Sequence, residues 1–407
     1  RASSQSDVNT AGSVTLPEPS PEPQEQDPAS RFIARINEVI AQGLSDAVED
    51  EDWLSKIALT TRSALQQLGL QAKPVSQTLT PNAAILRFAG SAQLTTELVL
   101  KKRSELLTHG LNVIAVRPEP GVVALYVARP DRRLVSANEV WTRWKPSRGS
   151  EPNKNIAIAV TENDNTLLLF SPGERHAPHT LIAGSTGSGK SVLMQAILLG
   201  IAVTNTPAQA QIILIDPKQG VDYFAFDELP HLDGGIIDRQ EDAIEKLDWL
   251  AVEMDRRYGL FKQARVPNLG AYNAKVSEAD RLPVFWVIHD EFAEWMMTET
   301  YRTAVTATVG RLGVKARAAG IHLIFAAQRP EANVMPMQLR SQLGNRLILR
   351  VDSEGTSELA LGERGAERLL GKGHLLARLE GEQELIYAQV PFTSEEFITK
   401  IVAVIRT

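Results

Sequence analysis

The sequence predicts an α/β protein whose main sheet is mostly parallel and covered by helices on both faces. From about residue 155 onward, short apolar runs alternate with amphipathic helical stretches, and this alternation is typical of parallel strands joined by crossover helices. A glycine-rich segment, residues 184–189, joins one such strand to a helix, as α/β sheets commonly do. The predicted strands of this sheet are residues 180–183, 212–215, 284–288, 322–326 and 346–351.

Length and composition narrow the class of protein. The 407 residues suffice for about two to four domains of roughly 100–200 residues each. The 43% hydrophobic and 23% charged fractions are ordinary for a globular protein, which excludes a wholly disordered or fibrous chain. No run approaches the roughly 18 apolar residues of a membrane-spanning helix. The absence of cysteine excludes disulfides, thiolate metal sites and a cysteine nucleophile, and is consistent with a reducing cytosol.

The net charge of −6 argues against a protein that coats nucleic acid with its whole surface, although a local basic channel remains compatible with it. Residues 1–30 contain five prolines among Ser, Gln and acidic residues, and we expect a disordered linker there or simply a floppy terminus. Because the chain starts inside this stretch, we expect a segment of a longer protein. An upstream membrane or partner domain could be missing, and the chain itself is expected to be cytoplasmic.

Three further regions follow the linker in sequence order. Residues 31–74 show apolar residues at helical spacing and predict a helical lead-in of two helices. Residues 75–150 predict a small α/β domain, with strands at 84–88 and 122–127 and a helix over 91–109. Residues 151–407 form the large α/β domain.

The strongest motif is Gly184-Ser-Thr-Gly-Ser-Gly-Lys190-Ser191, an uninterrupted G-x-x-x-x-G-K-[ST]. It lies between an apolar run and a helical pattern, which is the context that a phosphate-binding loop requires. Its glycines let backbone N–H groups surround a phosphate at the N-terminus of a helix. We predict that Lys190 reaches the β- and γ-phosphates of ATP and that Ser191 ligates Mg²⁺. The predicted nucleotide-binding residues are Gly184, Ser185, Thr186, Gly187, Ser188, Gly189, Lys190 and Ser191.

A hydrophobic strand over residues 284–289 ends in two carboxylates, Asp290 and Glu291. At the carboxyl edge of a parallel sheet they should project toward the same crevice as the phosphate-binding loop. Asp290 is predicted to hold Mg²⁺ and Glu291 to polarise the attacking water. Because a water activator stands beside the metal ligand, the pair favours hydrolysis over phosphate transfer to a small molecule.

Two other strand tips carry polar residues whose roles stay open at this stage. Gln328 follows the apolar residues 323–327 and either contacts the γ-phosphate and the attacking water or opens a turn before Pro330. Asp216 and Lys218 follow the strand at 212–215 and either assist the metal and phosphates or form a surface turn.

The segment from residue 179 to about 390 resembles the motor domain of FtsK/SpoIIIE-type DNA translocases, and residues 75–145 resemble the small domain beside that motor. Collinear matches over about 210 residues make this resemblance far more specific than a phosphate-binding loop alone. The matching stretches are Ala183-Gly-Ser-Thr-Gly-Ser-Gly-Lys-Ser191, Ile215-Asp-Pro-Lys218, Leu229-Pro-His-Leu232, Glu253-Met-Asp-Arg-Arg-Tyr258, Asn268-Leu-Gly-Ala-Tyr-Asn273, Asp290-Glu-Phe-Ala293, Met296-Met297, Lys315-Ala-Arg-Ala-Ala-Gly-Ile-His322, Gln328-Arg-Pro330 and Leu369-Leu-Gly-Lys-Gly373.

The resemblance implies a RecA-like P-loop NTPase core that assembles into a ring, usually a hexamer, and moves double-stranded DNA through its pore with ATP. It further implies an arginine finger acting across the subunit boundary, for which Arg311 and Arg317 are the candidates. Surface charges on a helix are the alternative for both, and Arg317 is slightly favoured over Arg311 as the finger. DNA contact is expected from Arg329, Arg340 and Arg346, and Arg340 falls where the family places a basic pore residue. A plain surface arginine at residue 340 is the alternative.

Two departures from the family pattern limit what the resemblance implies. His289 stands where the family has a small aliphatic residue, and we expect it to be a variation on the strand face rather than a ligand. No winged-helix module follows the motor within the 407 residues, which puts recognition of orienting DNA sequences in doubt.

Three functions compete at this stage. An ATP-driven translocase of double-stranded DNA fits best. The first alternative is a coupling ATPase of a conjugation, secretion or DNA-defence system that shares the same motor core. The second is a non-catalytic assembly module, which the intact set of Lys190, Asp290 and Glu291 disfavours.

Overall fold

The computed structural model describes residues 28–42, 51–313, 315–331 and 334–407. Most of the predicted linker lies outside these residues, and residues 28–30 begin the first helix. The helices are α1 (Pro28–Ala41), α2 (Glu51–Gln67), α3 (Thr96–Lys101), α4 (Arg103–Thr108), α5 (Ala137–Trp144), α6 (Lys190–Thr204), α7 (Gln240–Ala264), α8 (Leu269–Asn273), α9 (Phe292–Trp295), α10 (Glu299–Leu312), α11 (Ala316–Ala319), α12 (Met337–Gln342), α13 (Glu354–Leu361) and α14 (Glu395–Arg406).

Fourteen strands in the described ranges make two sheets. The strands are β1 (Pro74–Leu79), β2 (Ala83–Ala89), β3 (Val113–Glu119), β4 (Val122–Ala128), β5 (Ile156–Thr161), β6 (Leu167–Phe170), β7 (Thr180–Ala183), β8 (Ala210–Ile215), β9 (Leu232–Ile237), β10 (Val284–His289), β11 (Ile321–Ala327), β12 (Asn345–Leu349), β13 (His374–Arg378) and β14 (Ile386–Gln389). Short 3₁₀ turns occupy Val221–Phe226, Glu278–Asp280 and Ala366–Arg368.

The small sheet has the strand order β1-β2-β4-β3, and all its neighbouring strands are antiparallel. Apolar residues of α2, α3 and α4 pack on one face of this sheet, with Leu65, Val99 and Leu106 fully buried. The helix predicted over residues 91–109 is divided at Lys102, whose ψ of 9° interrupts the helical path between α3 and α4. The two helices of the lead-in separate, because α2 packs on the small sheet whereas α1 packs on α5 and α14.

The main sheet has ten strands in the order β6-β5-β14-β13-β12-β7-β11-β10-β8-β9. The six strands from β12 to β9 are parallel, and the other four join antiparallel at one side. The predicted, mostly parallel sheet is therefore confirmed. Helix α6 is apolar around nearly its whole circumference, since it lies between the sheet and other helices.

The parallel strands place the predicted functional residues at one edge. β7 lies between β12 and β11, and the carboxyl ends of β7, β11, β10 and β8 meet there. We call this side the carboxyl edge and the opposite side the amino edge. Among the helices of the described ranges, none is both long and apolar enough to span a lipid bilayer.

Candidate nucleotide-binding site

The phosphate-binding loop connects the end of β7 to the first residue of α6. Gly189 has a φ of +104°, and a Cβ atom there would lie 2.6 Å from the backbone nitrogen of Gly373. Gly373 N in turn donates a hydrogen bond to Ser188 O at 2.6 Å. A second loop, residues 369–373, thus packs backbone to backbone against the phosphate-binding loop, and only glycine fits at residue 189. We call residues 369–373 the supporting loop.

Lys190 lies between the two carboxylates that end β10. Its Nζ donates to Asp290 Oδ1 and lies 2.8 Å from Glu291 Oε1, and all three side chains are buried. Burial alone would lower the pKa of Lys190, but Asp290 and Glu291 outweigh that effect and raise it. The predicted convergence of these three residues at the carboxyl edge is observed.

Two neighbouring residues complete the site and were missed in the sequence. Tyr223 donates its hydroxyl proton to Asp290 Oδ2 at 2.7 Å, and Ser191 Oγ donates to Asp222 Oδ2 at 3.0 Å. Both Asp222 and Tyr223 lie on the 3₁₀ turn Val221–Phe226, which carries no recognisable motif. The only available signal was its position just after the strand tip at Asp216.

Glu291 connects the carboxylate pair after β10 to the tip of β11. Its oxygen Oε2 accepts a hydrogen bond from Gln328 N at 3.3 Å, and Gln328 Oε1 accepts one from Thr186 at 3.2 Å. Gln328 therefore spans the space between the phosphate-binding loop and Glu291. Lys218 Nζ lies 3.4 Å from Glu291 Oε1, so this lysine contacts protein in the structure.

Asp216 closes a turn. Its carboxylate accepts hydrogen bonds from the backbone nitrogens of Lys218, at 3.0 Å, and Gly220, at 2.9 Å. Burial raises the pKa of Asp216, and the nearby charge of Asp290 adds to the effect. These contacts form a turn, as the second alternative expected, although Asp216 is buried rather than at the surface.

An open cavity of about 580 Å³ adjoins the phosphate-binding loop. The tip of β12 contributes to it because β12 is the neighbour of β7, and Arg350 O accepts hydrogen bonds from both the nitrogen and the hydroxyl of Ser185. Its lining residues are Ser185, Thr186, Gly187, Ser188, Gln328, Arg329, Arg350, Asp352, Leu370, Gly371 and Lys372. The sequence did not identify Arg350, Asp352 or Lys372, because the order of strands in the sheet was not predicted.

Residues 145–332 match the sequence model of the FtsK/SpoIIIE family. This chain carries an FtsK/SpoIIIE domain. It is 31% identical over 368 residues to the DNA translocase FtsK of Clostridium tetani, a match that covers 88% of this chain and 48% of the relative. It is also 31% identical over 362 residues to the DNA translocase FtsK of Campylobacter jejuni, covering 87% of this chain and 37% of that protein. The chain thus spans less than half the length of these relatives.

Solved structures share the fold of the FtsK/SpoIIIE domain and its neighbouring elements. The conjugation coupling protein TcpA of pCW3, solved with ATPγS, superposes with a TM-score of 0.60 at 21% identity, covering 86% of this chain and all of that one. EssC from Geobacillus thermodenitrificans, a fragment with ATPases 2 and 3, gives a TM-score of 0.56 at 19% identity, covering 68% of this chain and 51% of that one. The predicted α/β core with a mainly parallel sheet is confirmed by this shared fold.

The two candidate arginine fingers of the FtsK/SpoIIIE domain lie away from its phosphate-binding loop. Arg317 precedes β11 at the amino edge, where it donates to the carbonyls of Gly173, at 3.0 Å, and Glu174, at 2.9 Å. The seven residues of β11, at roughly 3.3 Å each, put about 20 Å between Arg317 and Gln328. Arg311 lies in the last turn of α10 and pairs with Asp255.

The three arginines predicted to contact DNA differ in their surroundings. The Arg329 side chain is 73% exposed and lies 3.5 Å from Asp352, and Arg340 is half-buried on α12. The Arg346 guanidinium donates to Ala360 O at 2.7 Å and to Arg340 O at 3.1 Å. Burial, with the nearby positive charges, lowers the pKa of Arg346 to about 10. Arg346 is thus engaged within the fold, and DNA contact stays a prediction for all three.

The FtsK/SpoIIIE domain offers oxygen donors that suit Mg²⁺ rather than a protein-only metal cage. Within the described ranges, no group of three or more His, Asp or Glu residues is arranged to hold a metal. Mg²⁺ is usually held by one or two protein oxygens together with phosphates and water, and Ser191 and Asp290 supply such oxygens. His289 is fully buried, with Nε2 2.6 Å from the Tyr301 hydroxyl, and burial lowers its pKa to about 4. These contacts fit the expected strand-face role.

Proposed function

We propose that this chain is an ATP-driven motor that moves double-stranded DNA and hydrolyses Mg-ATP at the subunit interfaces of a ring, most simply a hexamer. The observation that carries the proposal is the contact of Lys190 with both Asp290 and Glu291, beside the Gln328 strand tip. A phosphate-gripping lysine, a metal-ligating carboxylate and a water-activating carboxylate are the parts that nucleotide hydrolysis needs.

The roles of the individual residues follow from their positions. Lys190 turns from the carboxylates to the β- and γ-phosphate oxygens when ATP binds, and the backbone of residues 184–189 holds the phosphates. Ser191 and Asp290 would hold Mg²⁺, which would supply positive charge beside the phosphates. Glu291, released from Lys190, orients the attacking water and accepts its proton. Gln328 contacts both Glu291 and Thr186, so it is placed to pass the state of the γ-phosphate to the segment after β11.

The ring is supported by the position of the arginines. Arg317 and Arg311 lie at or near the amino edge, and Arg317 is about 20 Å from the carboxyl edge of its own chain. Either can stabilise transition-state charge only at the nucleotide of a neighbouring copy. Each site would then be completed by the next subunit.

We assign DNA contact to Arg329 and Arg340. Arg346 supports Arg340, because its guanidinium donates a hydrogen bond to the carbonyl oxygen of Arg340. A few arginines per subunit, repeated around a ring, suffice to hold phosphates without reading bases. Such a pore is compatible with the overall charge of −6, since the basic surface is confined to the channel.

The decisive experiment measures ATP hydrolysis with and without duplex DNA. We expect duplex DNA to stimulate the wild-type chain and the exposed-surface control Arg62→Ala, whereas Arg340→Ala should retain basal hydrolysis without the stimulation. Turnover that ignores DNA would contradict a DNA translocase and favour a secretion-type coupling ATPase. Stimulation that survives in Arg340→Ala would contradict the pore assignment of that residue.

A mixing experiment tests hydrolysis across the interface. Arg317→Ala and Glu291→Ala chains should each be inactive, but mixed rings contain interfaces at which one chain supplies Glu291 and the other Arg317. Hydrolysis should therefore return in part. The same experiment with Arg311→Ala in place of Arg317→Ala identifies which arginine acts. If neither mixture regains hydrolysis, action of an arginine between subunits is contradicted.

A further inference from the structure

A polar network, buried except for the half-buried Arg132, connects the small sheet to the supporting loop. Its four side chains are Asn82, just before β2, Arg132, after β4, Glu162, after β5, and Gln389, the last residue of β14. Asn82, Glu162 and Gln389 are each at most 5% exposed. None of them belongs to the hydrolysis machinery described above. We call these four residues the clamp.

The clamp holds three consecutive carbonyl groups of the supporting loop. Arg132 donates from Nη1 to Leu370 O at 3.0 Å and from Nη2 to Gly371 O at 2.9 Å. Gln389 Nε2 donates to Lys372 O at 2.9 Å. A guanidinium can make such a two-pronged contact because its donors are fixed in one plane, which the single ammonium of lysine cannot reproduce.

The other side of the clamp is anchored in both domains. Arg132 Nε donates to Asn82 Oδ1 at 2.7 Å, and Asn82 Nδ2 donates to Glu162 Oε1 at 2.7 Å and to Gln389 Oε1 at 2.9 Å. The positive charge of Arg132 is thereby linked, through one amide, to the buried carboxylate of Glu162. These hydrogen bonds offset the cost of burying the polar groups, although Glu162 Oε2 has no hydrogen-bond partner among the described residues.

The supporting loop has no freedom to move without affecting the phosphate-binding loop. Gly373 N and Lys372 N donate to Ser188 O and Gly187 O, at 2.6 Å and 3.4 Å. Lys372 itself has a φ of +49°, a conformation that a residue with a side chain adopts only when its surroundings impose it. The clamp supplies the contacts that impose it.

We infer that Arg132 is a positioning residue of the nucleotide site, and that the small sheet helps to hold the shape of the phosphate-binding loop through the clamp. The inference rests on the proposed nucleotide binding. Arg132 touches neither phosphates nor the reacting atoms. It fixes the supporting loop, and the supporting loop fixes the backbone that surrounds the β-phosphate.

The test measures binding of a fluorescent ADP analogue with Mg²⁺ to the full chain and to the variant Arg132→Lys. We expect about tenfold weaker binding, the scale of a lost hydrogen bond to a charged group, and faster hydrogen exchange at the amides of residues 372–374. The matched control is Arg133→Lys, because the neighbouring Arg133 pairs with Glu139 at 2.9 Å instead of with the loop. This control should bind nucleotide like the wild type.

Thermal unfolding of Arg132→Lys without nucleotide shows whether the variant still folds, and so whether weaker binding is a local effect. Where Arg132→Lys fails to fold, the double variant Arg132→Met/Glu162→Gln removes both charges of the clamp together and should again bind weakly. Wild-type affinity in a folded clamp variant overturns the inference while leaving the proposed function intact. A wild-type chain that binds no nucleotide would instead overturn the proposed function.

Discussion

Lys190 Nζ lies 2.8 Å from Glu291 Oε1, so the residue assigned to grip phosphate also neutralises the residue assigned to activate water. The two roles exclude each other in this arrangement. Glu291 can accept a proton only after Lys190 has turned to another anion, which is what the phosphates of a bound nucleotide provide. In the proposed cycle, nucleotide binding and activation of Glu291 are thus coupled through the ammonium group of Lys190.

The first prediction follows from that coupling and concerns Glu291→Gln. The amide keeps the size of the side chain but cannot accept the proton of the attacking water, so turnover should fall by about 100-fold or more. Binding of an ATP analogue, measured by fluorescence titration, should stay within a few-fold of wild type. Equal loss of binding and turnover would contradict the assigned role of Glu291.

The second prediction concerns Lys190→Ala. Removal of the ammonium leaves Asp290 and Glu291 adjacent and uncompensated, and the phosphates lose their main positive partner. Nucleotide binding should therefore be abolished, as measured by the same titration. The exposed lysine of α14, Lys400, offers a matched control in Lys400→Ala, which should bind normally. Tight ATP binding by the Lys190→Ala variant would contradict the phosphate contact.

The third prediction concerns Tyr223→Phe, which removes only the hydroxyl that donates to Asp290 Oδ2 at 2.7 Å. We expect the concentration of Mg²⁺ needed for half-maximal hydrolysis to rise about fivefold, because a lost hydrogen bond of about 1 kcal/mol leaves Asp290 less well oriented. The control Tyr258→Phe removes the hydroxyl contact to Lys315 O, away from the site. A Mg²⁺ dependence identical in wild type and Tyr223→Phe would remove Tyr223 from the site.

The fourth prediction compares two helical glycines. In Gly200→Ala the new methyl would lie 2.3 Å from Ile156 Cγ2, so α6 must shift away from β5, and the free energy of unfolding should fall by roughly 1–3 kcal/mol. In Gly259→Ala, on the exposed side of α7, nothing lies within 4 Å of the methyl. That variant should gain about 0.5–1 kcal/mol, because alanine favours the helix. Denaturant titration measures the change in the free energy of unfolding for each variant. Similar changes in Gly200→Ala and Gly259→Ala would contradict the packing of α6.

The fifth prediction concerns pH. Burial lowers the pKa of His179, His231 and His289 to about 4 and that of His322 to about 3, against an ordinary value of 6.5. These side chains are neutral in the folded chain and gain protons on unfolding, so stability is present above pH 6.5 and lost as the pH falls toward 4. At one pH unit below the unfolded pKa, each buried histidine should lower the free energy of unfolding by about 1 kcal/mol. The melting temperature should drop from pH 7.5 to 5.5, equally in the exposed-site control His109→Gln. An unchanged melting temperature would contradict the burial.

Local patterns were enough to locate the centre of the site. The loop at 184–191 and the strand tip at Asp290 each carry their signal within a few residues, and parallel strands bring their tips to one edge whatever the order of the strands. Gln328, at the tip of β11, lies at the same carboxyl edge because β11 is also one of the parallel strands. Its contact with Glu291 depends on β11 being the neighbour of β10, which the sequence could not show.

The sequence does not predict residues that reach the site through the pairing of strands far apart in the chain. Arg350 and the supporting loop reach the phosphate-binding loop only because β12 pairs with β7 and β13 with β12. Tyr223 enters through an irregular turn without periodicity. Asp216 shows the converse case, since a carboxylate at a strand tip can simply close a turn.

The packing of α1 against α14 has a mechanical consequence. Arg35, in the middle of α1, donates to Thr407 just after α14, and Lys400 Nζ, in the middle of α14, donates to Gln42 just after α1 at 3.1 Å, so two side-chain hydrogen bonds join the helices. Helix α14 also packs on α6, whose first residue is Lys190. Tension applied through the residues that precede α1 would therefore pass across two helix contacts into the helix that presents the phosphate-gripping lysine. A force applied ahead of α1 would therefore act on the nucleotide-binding site itself and not only on its surroundings.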